Sequence, residues 1–265
     1  MRPVVIELPG LSSFKMALHR RPDIPISDSL RRYGIWEPAL TAYVLDTIKP
    51  GQNVVDVGAH IGYFTLIMSR LVGKGGRVLA FEPDPDNFDL LQANLRLNRI
   101  RNVVAESKAV SDRAGKAGLY TSNDNTGDHR LYASPARRAV HEVDTVSLDG
   151  YLGEGDGPVH FVKIDTQGLE PQILDGMSAL IERNRPWLVL AIEFSPGLLR
   201  CSGGDVNDLL HQLERLRAKA FWLSDDAPSW RATPATARDL AAIAGLMLGM
   251  SDEDYSKDIV LRFDG

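Results

Sequence analysis

Cysteine is nearly absent from this chain. Cys201 stands alone among 265 residues, so neither an intrachain disulfide nor a cysteine zinc cluster can be built, a usage that suits a reducing compartment. Long hydrophobic runs are missing too. The opening MRPVVIELPGLSSFKMALHRRP lacks the apolar core of a signal peptide, and LAAIAGLMLGM (240–250) is too short and too glycine-interrupted to cross a bilayer. That small-residue stretch suits either a buried helix or a contact between copies of the chain. Nor is there an excess of positive charge. With 30 basic and 35 acidic side chains the net charge is −5, which favours neither nucleic acid nor an anionic membrane. The expectation is a soluble, cytoplasmic protein. Its 44% hydrophobic and 25% charged residues suffice for one large domain, or a domain with an appended cap.

No internal repeat interrupts the chain. From residue 53 onward, apolar runs alternate with helix-period stretches: NVVDVG (53–58), RVLAFE (77–82), NVVAES (102–107), HFVKID (160–165) and WLVLAIEF (187–194), then the weaker AFWLSD (220–225) and DIVLRF (258–263). Near-continuous apolar strands predict a parallel sheet covered on both faces, hence a doubly wound α/β domain. Pro38, Pro85 and Pro171 stand where first helical residues would, a position whose N–H has no intrahelical partner. The apolar stripe Ile173, Leu174, Met177, Leu180 and Ile181 predicts one helix after Pro171. Residues 1–50 precede the first sheet strand as a helical cap. Residues 112–158, between the third and fourth strands, are too long for a simple loop and form an insertion expected to supply part of the site.

The stretch VVDVGAHIGYFT (54–65) reads as strand, glycine turn and helix, the layout of a nucleotide cradle. Its spacing is G-x-x-x-G between Gly58 and Gly62, not the dinucleotide G-x-G-x-x-G, and Asp56 sits just before the turn. A pyrophosphate would face that carboxylate without a counter-ion. S-adenosylmethionine has no phosphate and carries a sulfonium and an ammonium, which a nearby carboxylate would help to hold. Glu82, ending the second strand, is placed to accept hydrogen bonds from both ribose hydroxyls.

DVGAHIGYFT, FEPDPDNF, SKAVSD, VDTVSLDGYL, VKIDTQGLEPQIL and AIEFSP resemble, in order, the motifs of the FkbM-type methyltransferases, a branch of the class I S-adenosylmethionine-dependent enzymes. The resemblance covers roughly residues 30–200. It implies a seven-stranded sheet, six strands parallel and the last antiparallel, in a methyltransferase domain over 51–265. His60 stands where asparagine is also frequent, and TQG replaces the more usual V-E-G after Asp165, so Gln167 removes one charge near the site.

The resemblance also implies where the donor runs: past Gly58, Ala59, His60 and Gly62, beside Glu82 and Pro83, and along Lys108 and Ala109 at the adenine edge. RRYGIWEPAL (31–40) is similar to the family's entry segment, in which Tyr33 would help to close the pocket and Glu37 would reach the methionine end or cap the following helix. Asp165 is a candidate for the methionine ammonium or for the base, with a helix-capping role as the alternative. Lys163 shares its strand face and pairs with it. Glu193 is expected to face the acceptor or the cofactor pocket. Asp165 and Glu193 could offer hard oxygen ligands to a divalent cation such as Mg²⁺ or Ca²⁺, but two carboxylates are too few to establish a metal site, so metal-free chemistry is the favoured expectation. His129, within the insertion, has the right ordinary pKa to take a proton from a hydroxyl.

These readings point to O-methylation of a small natural product or of a sugar hydroxyl on a glycan. The N-P-P-Y motif of nitrogen methylation is absent. Two rival readings are a dinucleotide-dependent oxidoreductase and a module that keeps the fold for binding alone.

Overall fold

The computed structural model describes residues 3–20, 25–121, 129–133, 139–224, 231–249 and 256–263. The chain starts with β1 (Val4–Ile6), β2 (Phe14–Met16), α1 (Pro25–Arg32) and α2 (Pro38–Thr47). The sheet domain opens with β3 (Asn53–Val57), α3 (Tyr63–Val72), β4 (Arg77–Phe81), α4 (Pro85–Leu97) and β5 (Val103–Glu106). After β6 (Ala109–Val110) the insertion follows as β7 (Gly115–Thr121), β8 (Ala139–Val146) and α5 (Leu148–Tyr151). Then come β9 (Phe161–Ile164), α6 (Glu170–Asp175), α7 (Ser178–Asn184), β10 (Val189–Phe194), α8 (Pro196–Cys201) and α9 (Val206–Arg215). The chain closes with β11 (Lys219–Ser224), β12 (Arg231–Ala235), α10 (Ala237–Leu248) and β13 (Lys257–Arg262).

The central sheet runs in the order β12-β11-β13-β10-β9-β3-β4-β5. The five strands from β10 to β5 are parallel, and β13 is antiparallel to both its neighbours, β10 and β11. This is the expected doubly wound arrangement with its reversed closing strand. The structure adds an eighth strand, β12, antiparallel to β11 at the edge. Its sequence RATPA carries no apolar run because an edge strand is not buried on both faces, and Pro234 is tolerated there for the same reason.

The inner strands read as apolar runs because helices cover both sheet faces. One core packs α2, α3 and α4 on the sheet through Tyr43, Val44, Leu66, Ile67 and Leu91. The other packs α6, α7, α9 and α10 through Ile173, Leu180, Leu209 and Met247. Burying each large aliphatic side chain contributes about 1.5–3 kcal/mol.

Three expectations are corrected. The N-terminal cap is not all helix, since β1 and β2 pair antiparallel ahead of α1 and α2. Side-chain amides of α4 and of the residue that follows it hold this pair: Asn94 Oδ1 accepts the Ala17 N–H at 2.7 Å, and Asn98 Oδ1 accepts the Lys15 N–H at 3.0 Å. Pro171 is the second residue of α6 rather than the first. The stripe from Ile173 to Ile181 divides into α6 and α7, because the Asp149 carboxylate caps a fresh helix start by accepting the N–H groups of Ala179 and Leu180 at 2.9 and 2.7 Å. The insertion strands join β6 in a small separate sheet, ordered β6-β8-β7.

Candidate active site

A cavity of about 310 Å³ opens at the carboxyl ends of β3, β4, β5, β9 and β10, roofed by the N-terminal cap and the insertion. In open α/β sheets this edge is where ligands bind. Its floor is the glycine turn after β3. Gly58 has φ 78°, and a Cβ there would lie 1.9 Å from the Asp165 carbonyl oxygen, so only glycine allows β3 and β9 to end side by side. The N–H groups of Gly58 and Ala59 both donate to the Phe81 carbonyl, at 3.1 and 2.9 Å. Gly62, with φ 90°, faces Leu91 of α4 and not the cavity.

Glu82 lies at the end of β4 and is 5% exposed. Its Oε2 accepts the His60 N–H at 2.7 Å, and its Oε1 accepts the Asp84 N–H at 3.0 Å. Burial pushes its carboxyl up to about 7, against the lowering effect of those two bonds. Pro83 lines the same wall, and Asp84 caps α4 by accepting the Asn87 N–H at 2.9 Å. His129 reaches in from the insertion, its Nε2 3.6 Å from Asp84 Oδ2. Toward β5, Lys108, Ala109 and Val110 line the cavity. Lys108 Nζ is 2.9 Å from Glu106 Oε2, while the Tyr151 hydroxyl donates to Glu106 Oε1 at 2.7 Å. Those two donors hold Glu106 below the usual carboxylate range.

The opposite end, at β9 and β10, is acidic. Asp165, Glu193 and Glu37 all line it. Burial opposes the charge of Asp165, yet Lys163, 2.8 Å away and 3% exposed, brings its pKa below the ordinary value. Gln167 Nε2 donates to Glu193 Oε2 at 3.1 Å and lies 3.5 Å from Asp165 Oδ1. Burial raises Glu193 well above the carboxylate range, and the charges of Asp165 and Glu170 add to the effect. Burial likewise raises Glu37, helped by Asp258 and Asp165. Glu37 makes no capping bond to α2, and its buried Oε2 has no hydrogen-bond partner among the described residues. Glu37, His60 and Gln167 all line the cavity in the left-handed backbone region, with φ of 41°, 50° and 60°. Such strain gathers at functional sites.

Residues 56–218 match the family described as the Methyltransferase FkbM domain. The chain belongs to the FkbM methyltransferase family. Among curated relatives, the 31-O-demethyl-FK506 methyltransferase FkbM of Streptomyces tacrolimicus is 44% identical over 162 residues, covering 49% of this chain and 61% of that protein. The hexuronic acid methyltransferase AglP of Haloferax volcanii is 31% identical over 152 residues, covering 52% of this chain and 55% of the relative. Methyltransferase sdnD of Sordaria araneosa is 27% identical over 203 residues, covering 61% and 78%. The chain thus spans from just over half to about three quarters of the length of these relatives.

S-adenosylmethionine is the methyl donor of the FkbM family, and the cavity fits it. Glu82 presents both carboxylate oxygens beside the turn, and the orphaned Glu37 Oε2 with its acidic neighbours suits a cationic ligand. No group of three or more metal-ligating side chains occurs among the described residues, and no described helix is long and apolar enough to cross a membrane.

Three residues expected at the site lie off the cavity wall: Gly62, which faces Leu91, Tyr33 and Asp56. Tyr33 is 75% exposed and does not line the cavity, because it follows the last turn of α1 and projects outward. Asp56 is 0% exposed and lies beneath the turn, its Oδ2 accepting from the Thr65 hydroxyl of α3 at 2.6 Å, and it does not line the cavity. Several lining residues went unchosen in the sequence, Trp36, Phe64 and Gln167 among them. Trp36 and Phe64 carry no polar signature that separates a cavity wall from core. Gln167 was visible only as a departure from V-E-G.

Proposed function

We propose that this chain is an S-adenosylmethionine-dependent O-methyltransferase acting on a hydroxyl of a small natural product or of a sugar unit in a glycan. One observation carries the reading: a single cavity joins a strand-end carboxylate, Glu82, to an acidic end formed by Glu37, Asp165 and Glu193. The names of two relatives, a 31-O-demethyl-FK506 methyltransferase and a hexuronic acid methyltransferase, support that range of acceptors. The donor supplies the methyl group and a thioether leaving group, which leaves the acceptor's hydroxyl proton as the charge the protein must manage.

Glu82 holds the ribose hydroxyls, with His60 and Asp84 fixing its carboxylate. Ala59, Pro83, Lys108 and Ala109 line the path toward the adenine, and Glu37 takes the methionine ammonium. Asp165 is the leading proton acceptor, because Lys163 keeps it ionised at neutral pH and it lines the cavity. His129 is the second candidate, from the opposite wall. Apolar walls and the insertion exclude water, so the main contribution is alignment of donor and acceptor.

Calorimetry tests the cofactor: saturable binding of S-adenosylhomocysteine and none of NAD is expected, and the reverse result refutes the reading. Transfer of tritiated methyl from S-adenosylmethionine into a metabolite extract tests catalysis. Asp165→Asn should then lower kcat far more than His129→Ala.

A further inference from the structure

Glu82 is held by more than the glycine turn. Asn87, buried in the first turn of α4, lines the cavity and hydrogen-bonds the Glu82 carboxylate through its side chain. The same amide has a second partner outside the sheet domain, since its Oδ1 lies 2.8 Å from His19 Nε2. His19 follows β2 in the N-terminal cap, where α1 fixes its backbone from two sides. Its N–H donates to Ser27 Oγ at 3.3 Å, and the Arg31 guanidinium donates to its carbonyl. The His19 ring stands 5.8 Å, centroid to centroid, from that of His60, whose own N–H donates to Glu82 Oε2. A chain of contacts thus runs from the cap, through His19 and Asn87, to the carboxylate at the end of β4.

The chemistry of these groups gives the chain a direction. An amide oxygen only accepts, so His19 Nε2 carries the hydrogen of the 2.8 Å contact. With Oδ1 so engaged, Asn87 turns its Nδ2 hydrogens toward Glu82, a donor that favours the ionised carboxylate. The reversed amide would aim Oδ1 at Glu82 and favour the protonated acid, which offers the ribose hydroxyls a poorer acceptor. Resting on the assignment of the ribose hydroxyls to Glu82, we infer that His19 is a positioning residue for the methyl donor. It locks the Asn87 amide in the orientation that presents a donor to Glu82, so that the docked N-terminal cap prepares the ribose site. The other groups at this carboxylate are Asp84 beside it, His129 at 3.6 Å from Asp84, and Lys108, paired with Glu106 at 2.9 Å. Around His19 stand Arg20, Arg31 and Asp86, which line a second cavity with it. The Nε2 hydrogen is present in the charged imidazolium as well as in this neutral tautomer, so the link survives titration of His19.

The test is calorimetry of S-adenosylhomocysteine on the intact protein, His19→Leu and His19→Gln, from about pH 5 to about pH 9. For the unaltered protein, affinity should climb with pH and level off at about 7. In His19→Leu the amide is free to reverse. The climb should then move to higher pH by at least about half a unit, and affinity at neutral pH should fall at least about fivefold. His19→Gln puts an amide N–H where Nε2 was, and should stay within about twofold with the climb in place. A loss of packing alone would weaken binding alike at every pH. An unmoved climb in folded His19→Leu overturns the inference, as does a His19→Gln variant no better than His19→Leu. If His19→Leu does not fold, the ring nitrogen NMR shifts of His19 in the unaltered protein decide. A hydrogen on Nε2 is expected in the neutral ring, and one on Nδ1 would reverse the amide and overturn the inference. The two readings fail separately: unchanged affinity in Glu82→Ala would sink the ribose assignment itself, whatever the His19 variants do.

Discussion

The backbone N–H of His60 donates to Glu82 Oε2 at 2.7 Å and ties the glycine turn after β3 to the end of β4. Turn and carboxylate are thus one unit, with His60 held in the left-handed backbone region at φ 50°. Replacing Glu82 by alanine removes a charged acceptor worth about 1.5–3 kcal/mol per hydrogen bond. The affinity for S-adenosylhomocysteine, measured by calorimetry, should fall more than about tenfold. Two buried N–H groups would also be orphaned, so the urea midpoint should drop; Glu82→Gln, which keeps one acceptor, should restore much of the stability but little of the affinity.

The raised carboxyl of Glu82 gives the free protein a pH signature. Its pKa is pushed from 4.5 to about 7, so between those values the folded protein holds a proton that the unfolded chain has lost. Its contribution to stability therefore falls as pH rises from 4.5 to about 7 and is level above. A ribose diol donates to the ionised form. Affinity for S-adenosylhomocysteine should accordingly climb with pH up to about 7, with protons released on binding below it. Heats measured at pH 6 in two buffers of different ionisation enthalpy should diverge, and Glu82→Gln should narrow the divergence; buffer-independent heats for the unaltered protein would rule the linkage out.

Lys163 is a buried cation among acids. At 3% side-chain exposure it bonds Asp165 at 2.8 Å and faces Asp56 across the strands. Lys163→Met would strand those carboxylates without their counter-charge, a change that costs about 3–5 kcal/mol when one member of a buried pair is removed. Urea unfolding should show that loss. Adding Asp56→Asn should recover part of it, since the Asp56 Oδ1 has no hydrogen-bond partner among the described residues to begin with.

The inner strands were legible because burial on both faces writes itself as an unbroken apolar run, as in VVDV, FVKI and VLAIEF. Glu82 and Glu193 were legible because a charge ending such a run has few places to go except the sheet edge. Asp56 was not, since its place in the strand does not say whether the carboxylate points up into the cavity or sideways at Thr65. Tyr33 failed for a related reason: a tyrosine after a helix looks the same whether its ring folds inward or out. β12 left no mark because an edge strand buries too little to need a pattern. The acidic cluster at β9–β10 became visible only when Glu37, over a hundred residues earlier in the chain, was brought beside Asp165 and Glu193.

The two glycines of the opening turn should respond differently to alanine. At Gly58 the new Cβ would fall 1.9 Å from the Asp165 carbonyl, a backbone atom that can move only if the end of β9 moves with it. Asp165 is held there by its own N–H on the Val57 carbonyl at 3.2 Å, so relief of the clash displaces the proposed base. At Gly62 the nearest atom is Leu91 Cδ1 at 2.5 Å, the far end of a side chain that can rotate away. Both changes carry the backbone strain of a positive φ, about 1–3 kcal/mol. Gly58→Ala should therefore lower the urea midpoint further and cut S-adenosylhomocysteine affinity more than about tenfold, while Gly62→Ala changes it less than about threefold. Equal loss of affinity in the two variants would mean that the turn acts as a rigid whole, with no separate role for the contact between β3 and β9.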